Sequence, residues 1–95
     1  MNCLAFCIQG DDMFPTFQNK DVVICSELTV LDQLEERELY AVVTCGGAVL
    51  VKRLHSIKRN RHNQIIQLKW VSDRHTHRTE SLHRNGIRQV LRLER

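Results

Sequence analysis

Two places in this 95-residue sequence combine residue types that could do chemistry. One is the turn-forming run Gly10-Asp11-Asp12-Met13-Phe14-Pro15-Thr16. Gly and Asp end a strand there, Pro fixes a turn, and Asp12 or Thr16 could cap a short helical turn. The other is Lys52. On a strand it shares a face with Leu50 and Leu54, so its ammonium emerges from an apolar stripe. Desolvation at such a position disfavours the charged form and makes Lys52 a candidate general base, unless a carboxylate compensates the charge. The plainer alternative is that its methylene stem covers apolar surface while the ammonium reaches the sheet edge.

His75 and His77 would face one way on a strand and could hold a metal, but a solvated polar loop is the expectation and no metal is assigned. The cysteines fall at 3, 7, 25 and 45, each in or beside an apolar run. A free cysteine there acts as a small buried hydrophobe, so disulfides are not expected and the chain reads as a reducing, cytoplasmic protein. Three residues separate Cys3 from Cys7, not the two of a zinc knuckle, and no second pair follows. No cofactor is implied.

Charge divides the chain. Residues 1–51 carry two basic and eight acidic side chains, net −6, whereas 52–95 carry twelve basic and three acidic, net +9. A basic half invites a nucleic-acid reading. Its basic residues are scattered, however, apart from Lys58-Arg59-Asn60-Arg61-His62-Asn63, and no aromatic residues interleave with them as base stacking would require. A solvated turn, complementary to the acidic half of the same or another subunit, is the favoured account.

The elements that must position these groups are strands. Short stretches with β-branched content and rough alternation recur at residues 3–9, 21–26, 39–45, 48–55, 64–71 and 87–93, separated by turn-formers. This predicts an all-β domain spanning residues 1–95, a bent, mostly antiparallel sheet or partial barrel with room for one short helical turn. The run Tyr40 to Cys45, then Gly46-Gly47, then Ala48 to Leu54 predicts a hairpin whose two-residue loop uses the positive φ angles open to glycine. Lys58 to Asn63 reads as the next turn, and Gln64 to Val71 as the returning strand. Between Ser26 and Glu38, the spacing of Leu28, Leu31 and Leu34 permits a helical turn or two with Ser26 as N-cap, or an ordered loop. Alternating Ile87, Gln89, Leu91 and Leu93 would give the last strand an apolar edge. No apolar run approaches the about 20 residues a membrane helix needs, and no secretory leader is expected.

The run Gly10 to Thr16 resembles the G-D-S-M-x-P-T box of LexA-type and phage-repressor C-terminal domains, a motif shared in part with signal peptidases. In that family the third box position holds a nucleophilic serine, and a strand written roughly V-K-R-L after a hairpin holds the general-base lysine. Val51-Lys52-Arg53-Leu54 is similar to that strand and puts Lys52 on the lysine. Asn19-Lys20-Asp21-Val22-Val23-Ile24 resembles the family's D-G-D-x-V-x-V strand, and Ser72-Asp73 its S-D-N turn; Leu39-Tyr40-Ala41-Val42-Val43 continues the likeness. The resemblance covers nearly the whole chain. It implies a peptidase-like fold in which Gly10, Asp11, Met13, Pro15 and Thr16 are motif positions, Asp12 occupies the nucleophile position and Lys52 the general-base position.

The departure is Asp12. Cleavage in the family passes a hydroxyl proton to a neutral lysine and forms an acyl-enzyme. A carboxylate has no such proton, attacks an amide poorly, and would hold Lys52 as ammonium, so an Asp12–Lys52 ion pair is expected in place of a dyad. With eleven residues before Asp12, no scissile segment is expected upstream, and Cys45-Gly46, which the family could cut, falls in the hairpin turn instead. The resemblance therefore implies a degenerate, non-cleaving domain without enzyme activity that dimerises and regulates a transcriptional regulator. It would be a homodimer to which the last strand contributes, reaching DNA only through a helix-turn-helix domain not found in this chain. The alternatives are an active Ser–Lys peptidase domain whose serine was replaced by Asp12, a peptidase using Ser26, Ser56, Ser72 or Ser81, and a stand-alone nucleic-acid-binding module.

Overall fold

The apolar run Leu39 to Val43 lacks the alternation of a half-exposed strand because both faces of that strand are covered. The computed structural model describes residues 3–28, 33–76 and 78–94. They form seven strands: β1 (Cys3–Cys7), β2 (Val22–Glu27), β3 (Leu39–Thr44), β4 (Val49–Arg59), β5 (Ile65–Val71), β6 (Thr79–His83) and β7 (Ile87–Glu94). All pair antiparallel in one sheet ordered β1-β2-β7-β3-β4-β5-β6, so the fold is all-β as expected.

A core lies on each face. Tyr40 and Val42 point into one cluster with Leu54, Leu68, Trp70 and Val90, while Ala41 points into another with Ile8, Val23, Cys25 and Leu91. The β4–β5 end supplies the first cluster and the β1–β2 end the second; β3 and β7 are shared. Each fully buried large side chain contributes about 1.5–3 kcal/mol. Trp70 and Tyr40 meet edge to face with ring centroids 6.1 Å apart, a geometry favourable beyond its buried area. The Tyr40 hydroxyl accepts the Glu35 N–H at 2.8 Å, pinning the β2–β3 connection to the core.

Several expectations change. β7 is not an edge: it lies between β2 and β3, with Val90 in one core and Leu91 in the other, so the apolar edge expected of it does not exist. The β3–β4 hairpin exists, but its loop is Cys45-Gly46-Gly47, closed by Thr44 N–H to Ala48 C=O at 2.9 Å, and only Gly47 takes a positive φ, +91°. That is a turn followed by a left-handed glycine, not a two-residue Gly-Gly loop. Ser26 caps no helix, since it sits in β2 and its hydroxyl donates to Glu94. Residues 29–32, and Leu31 with them, lie outside the described residues; Leu34 packs in the first core. β6 was not expected, because Leu82 is its only large apolar residue and it forms a sheet edge.

All four cysteines are free, but only Cys25 is buried; Cys3, Cys7 and Cys45 are exposed, against the expectation of four small hydrophobes. On β1, Cys3 and Cys7 pair with Ser26 and Val22, facing away from the core that receives Val23 and Cys25. Burial pushes the Cys25 thiol up to about 11, and the nearby Glu94 carboxylate adds to the shift.

Candidate functional site

The site forms where β4 changes partner. Residues Val49 to Arg53 pair with β3, while pairing with β5 begins at Arg53, so the edge of β4 away from β3 is open up to Lys52. The chain leaving β1 comes alongside. Ile8 donates to Asp21 C=O at 2.7 Å and accepts from Lys20 N–H at 2.8 Å, after which residues 10–19 loop out as a single excursion. Gly10 starts it at φ +85°, a conformation open to glycine, with its N–H on Asn19 Oδ1 at 2.9 Å. Bonds from Phe14 N–H to Asp11 C=O (3.0 Å) and from Phe17 N–H to Met13 C=O (2.9 Å) tighten the turn, and the Phe14–Pro15 bond is cis. No helix forms in it, so neither Asp12 nor Thr16 is a cap.

A second turn, Ser72-Asp73-Arg74, locks this excursion in place. Asp73 N–H meets Met13 Sδ at 3.4 Å, Arg74 N–H donates to Asp12 C=O at 2.9 Å, Arg74 pairs with Asp11, and the Thr16 hydroxyl donates to Asp73. Asp73 in turn takes a two-pronged bond from Arg53, Nε at 2.8 Å and Nη2 at 2.9 Å, while Arg53 Nη1 donates to Arg37 C=O at 2.7 Å. The Arg53 hydrogen bonds hold the Asp73 carboxyl below the ordinary carboxylate range against the opposing effect of burial, and Thr16 adds to the lowering. The same bonds raise Arg53. Met13 is buried at 2% exposure, which anchors the middle of the box, whereas Asp11, Asp12, Pro15 and Thr16 are exposed.

Lys52 is 7% exposed and lies opposite Tyr40. Its Nζ donates to Ser72 Oγ at 2.6 Å and to Glu80 Oε1 at 3.4 Å. The apolar stripe inferred at Lys52 is real, and a compensating carboxylate is present, but it is Glu80 on β6 rather than Asp12. The expected Asp12–Lys52 ion pair does not form: both residues line one cleft of about 310 Å³, yet the Asp12 carboxylate makes no hydrogen bond or ion pair among the described residues. The cleft runs between residues 6–9 and residues 49–52, two segments that each contribute consecutive residues. Such open strand edges can accept an extended peptide as an added strand.

Of the four serines considered, Ser72 alone reaches Lys52. Ser26 bonds Glu94, Ser56 is on β4 beside His55, and Ser81 is on β6. His75 belongs to the turn after Ser72; His77 lies outside the described residues, and no cluster of metal-binding side chains occurs among those described. The Arg53–Asp73–Thr16 connection had no assigned role in the sequence, although the matching V-K-R-L and S-D segments contained two of its members. Glu80 carried no signal because β6 carried none.

An all-β sheet with a buried lysine beside a clamped G-D-x-M-x-P-T turn defines a peptidase-like domain of LexA type. A family model described as Peptidase S24-like matches residues 1–82, and the chain belongs to that family. No curated protein and no solved structure matches it.

Proposed function

We propose that this chain is a non-cleaving Peptidase S24-like domain serving association and regulation in a transcriptional regulator, with operator reading assigned to a separate helix-turn-helix domain. Asp12 stands in the nucleophile position and Lys52 in the general-base position. The observation that carries this reading is the state of the cleft: a carboxylate on its wall with no partner among the described residues, and a lysine engaged by Ser72 and Glu80. Acyl transfer needs a hydroxyl or thiol that can pass its proton to a base and then attack a carbonyl. Asp12 supplies neither. The three exposed free thiols suit a reducing, cytoplasmic setting, and no helix among the described residues is long and apolar enough to cross a membrane.

The second reading is an active peptidase built on Ser72, whose Oγ is 2.6 Å from Lys52 Nζ. Burial of Ser72 at 6% exposure and the hold of Glu80 on the same amine weigh against it. The two readings separate on prolonged incubation at mildly alkaline pH. Intact mass by mass spectrometry is expected to remain that of the full chain; discrete fragments that vanish in Ser72→Ala would establish the peptidase instead.

Association as a homodimer is supported by exposed apolar side chains outside both cores, Val22 at 66% and Ile24 at 45%, on the outer face of the β1–β2 pair. Light scattering is expected to give a dimer mass that falls to the monomer in the variant combining Val22→Lys and Ile24→Lys. A native protein that stays monomeric at high micromolar concentration would end this part of the proposal.

A further inference from the structure

The sheet brings Lys69 beside the basic run that begins at Lys58. On the outer face of the β4–β5–β6 arm, Lys58 lies opposite Gln67, which lies opposite His83; Ser56 lies opposite Lys69, which lies opposite Ser81. Directly opposed residues share a face, and the intervening Ile57, Leu68, Trp70 and Leu82 point the other way, into the first core. Lys58 and Lys69 are diagonal neighbours, about 7–8 Å apart at Cα. Arg61 stands exposed on the hairpin tip just beyond them.

Among the described residues no carboxylate answers these charges. The three acidic residues after Lys52 are committed elsewhere: Asp73 to Arg53, Glu80 to Lys52 across the opposite face, and Glu94 to Ser26. Glu36, from the acidic half, reaches the arm only at its free edge, accepting the Ile57 N–H at 3.0 Å. Among the described residues the side chains of Lys58, Arg61 and Lys69 have no hydrogen-bond or ion-pair partner. Two adjacent like charges without a counter-charge oppose folding slightly, and an external polyanion would relieve them.

We infer that this face, through Lys58, Arg61 and Lys69, binds the phosphate backbone of duplex DNA without reading its sequence. An acidic protein surface fits less well. Between the cations stand only Ser56, Gln67, Ser81 and His83, so the patch lacks the buried apolar or aromatic anchors on which protein interfaces depend. Phosphate contact needs none, and hydroxyl and amide donors are its usual companions. The absence of an aromatic on the face argues against single strands, which bind by stacking. The inference goes beyond the proposed regulatory role and stands without it, since it depends on neither the cleft nor the dimer.

Fluorescence anisotropy of a short labelled duplex of arbitrary sequence tests it. Three neutralised phosphates give a slope of log affinity against log salt of about −2.7, so affinity is expected to fall about 40-fold between about 50 and about 200 mM salt. Lys58→Gln, Arg61→Gln and Lys69→Gln should each remove about 0.9 from the slope, and the triple variant should abolish it. Lys20→Gln, in the acidic half, leaves it unchanged. Circular dichroism checks folding, and the single variants carry the test if the triple does not fold. Absence of binding at the lowest salt, or a slope that survives in all the folded variants, would overturn the inference. Tighter binding of a single strand would do so too, as would competition by polyglutamate accompanied by salt-sensitive self-association, which would assign the face to an acidic protein partner.

Discussion

Asp12→Ser is expected to make the cleft reactive toward a serine-directed acylating probe, with labelling at position 12 and none in the native protein. The geometry behind this is that residue 12 and Lys52 line the same cleft. As a neutral amine Lys52 would keep two hydrogens for Ser72 and Glu80 and one lone pair to take the proton of a hydroxyl on the cleft wall. General-base assistance contributes about 10²–10⁴-fold. The variant should therefore label at least about 10²-fold faster than its combination with Lys52→Met, and the rate should rise with pH. A folded Asp12→Ser that stays unlabelled would remove the assignment of Asp12 to the nucleophile position. Labelling of the native chain at Ser72 would support the second functional reading.

Asp73→Asn is expected to be the most destabilising single change at the site. It removes the negative charge and one of the two carboxylate oxygens, so the half-buried Arg53 guanidinium loses its counter-charge and one prong of its bond, and the Thr16 hydroxyl must compete for the one oxygen that remains. Breaking a pair this enclosed costs about 3 kcal/mol. Asp12→Ala, at an exposed carboxylate with no partner among the described residues, is the contrasting control and should move stability by less than about 0.5 kcal/mol. The Asp73 effect carries a pH signature. Its carboxyl is held below the ordinary range in the folded chain, chiefly by the Arg53 hydrogen bonds. The unfolded chain then binds the proton more readily. The stabilisation is complete above the unfolded carboxyl value, about 3.9, and is lost as pH falls through the lower folded value. Urea midpoints of native protein and Asp73→Asn should differ by a constant amount from neutrality to about pH 5 and converge in strong acid. A difference that does not shrink there would mean that the ion pair is not its source.

Much of the chemistry-bearing detail was legible locally. The box Gly10 to Thr16, the V-K-R-L strand and the S-D turn are contiguous words whose order already implied the family. Strand periodicity placed six of the seven strands, because alternation and turn residues are properties of neighbours in the chain. β6 escaped because its pairing with β5 is carried by backbone bonds to which its side chains add one large apolar residue.

Partnership was decided elsewhere. Lys52 and its two partners are 20 and 28 residues apart, and Thr16 and Asp73 are 57 apart; no periodicity reports which side chains such distances bring together. Asp12 and Glu80 were equally available carboxylates for Lys52 by composition. The sheet order chose between them, since β4 pairs with β5 from Arg53 onward and β5 pairs with β6, which carries Glu80 to the buried amine, while the box turn leaves Asp12 in solvent. The same order put β7 in the middle of the sheet rather than at its edge. Residue types and spacing thus determined the fold class and the motif, because both depend on local backbone preference. Only the tertiary structure decided which charges meet, because that depends on which strands become neighbours.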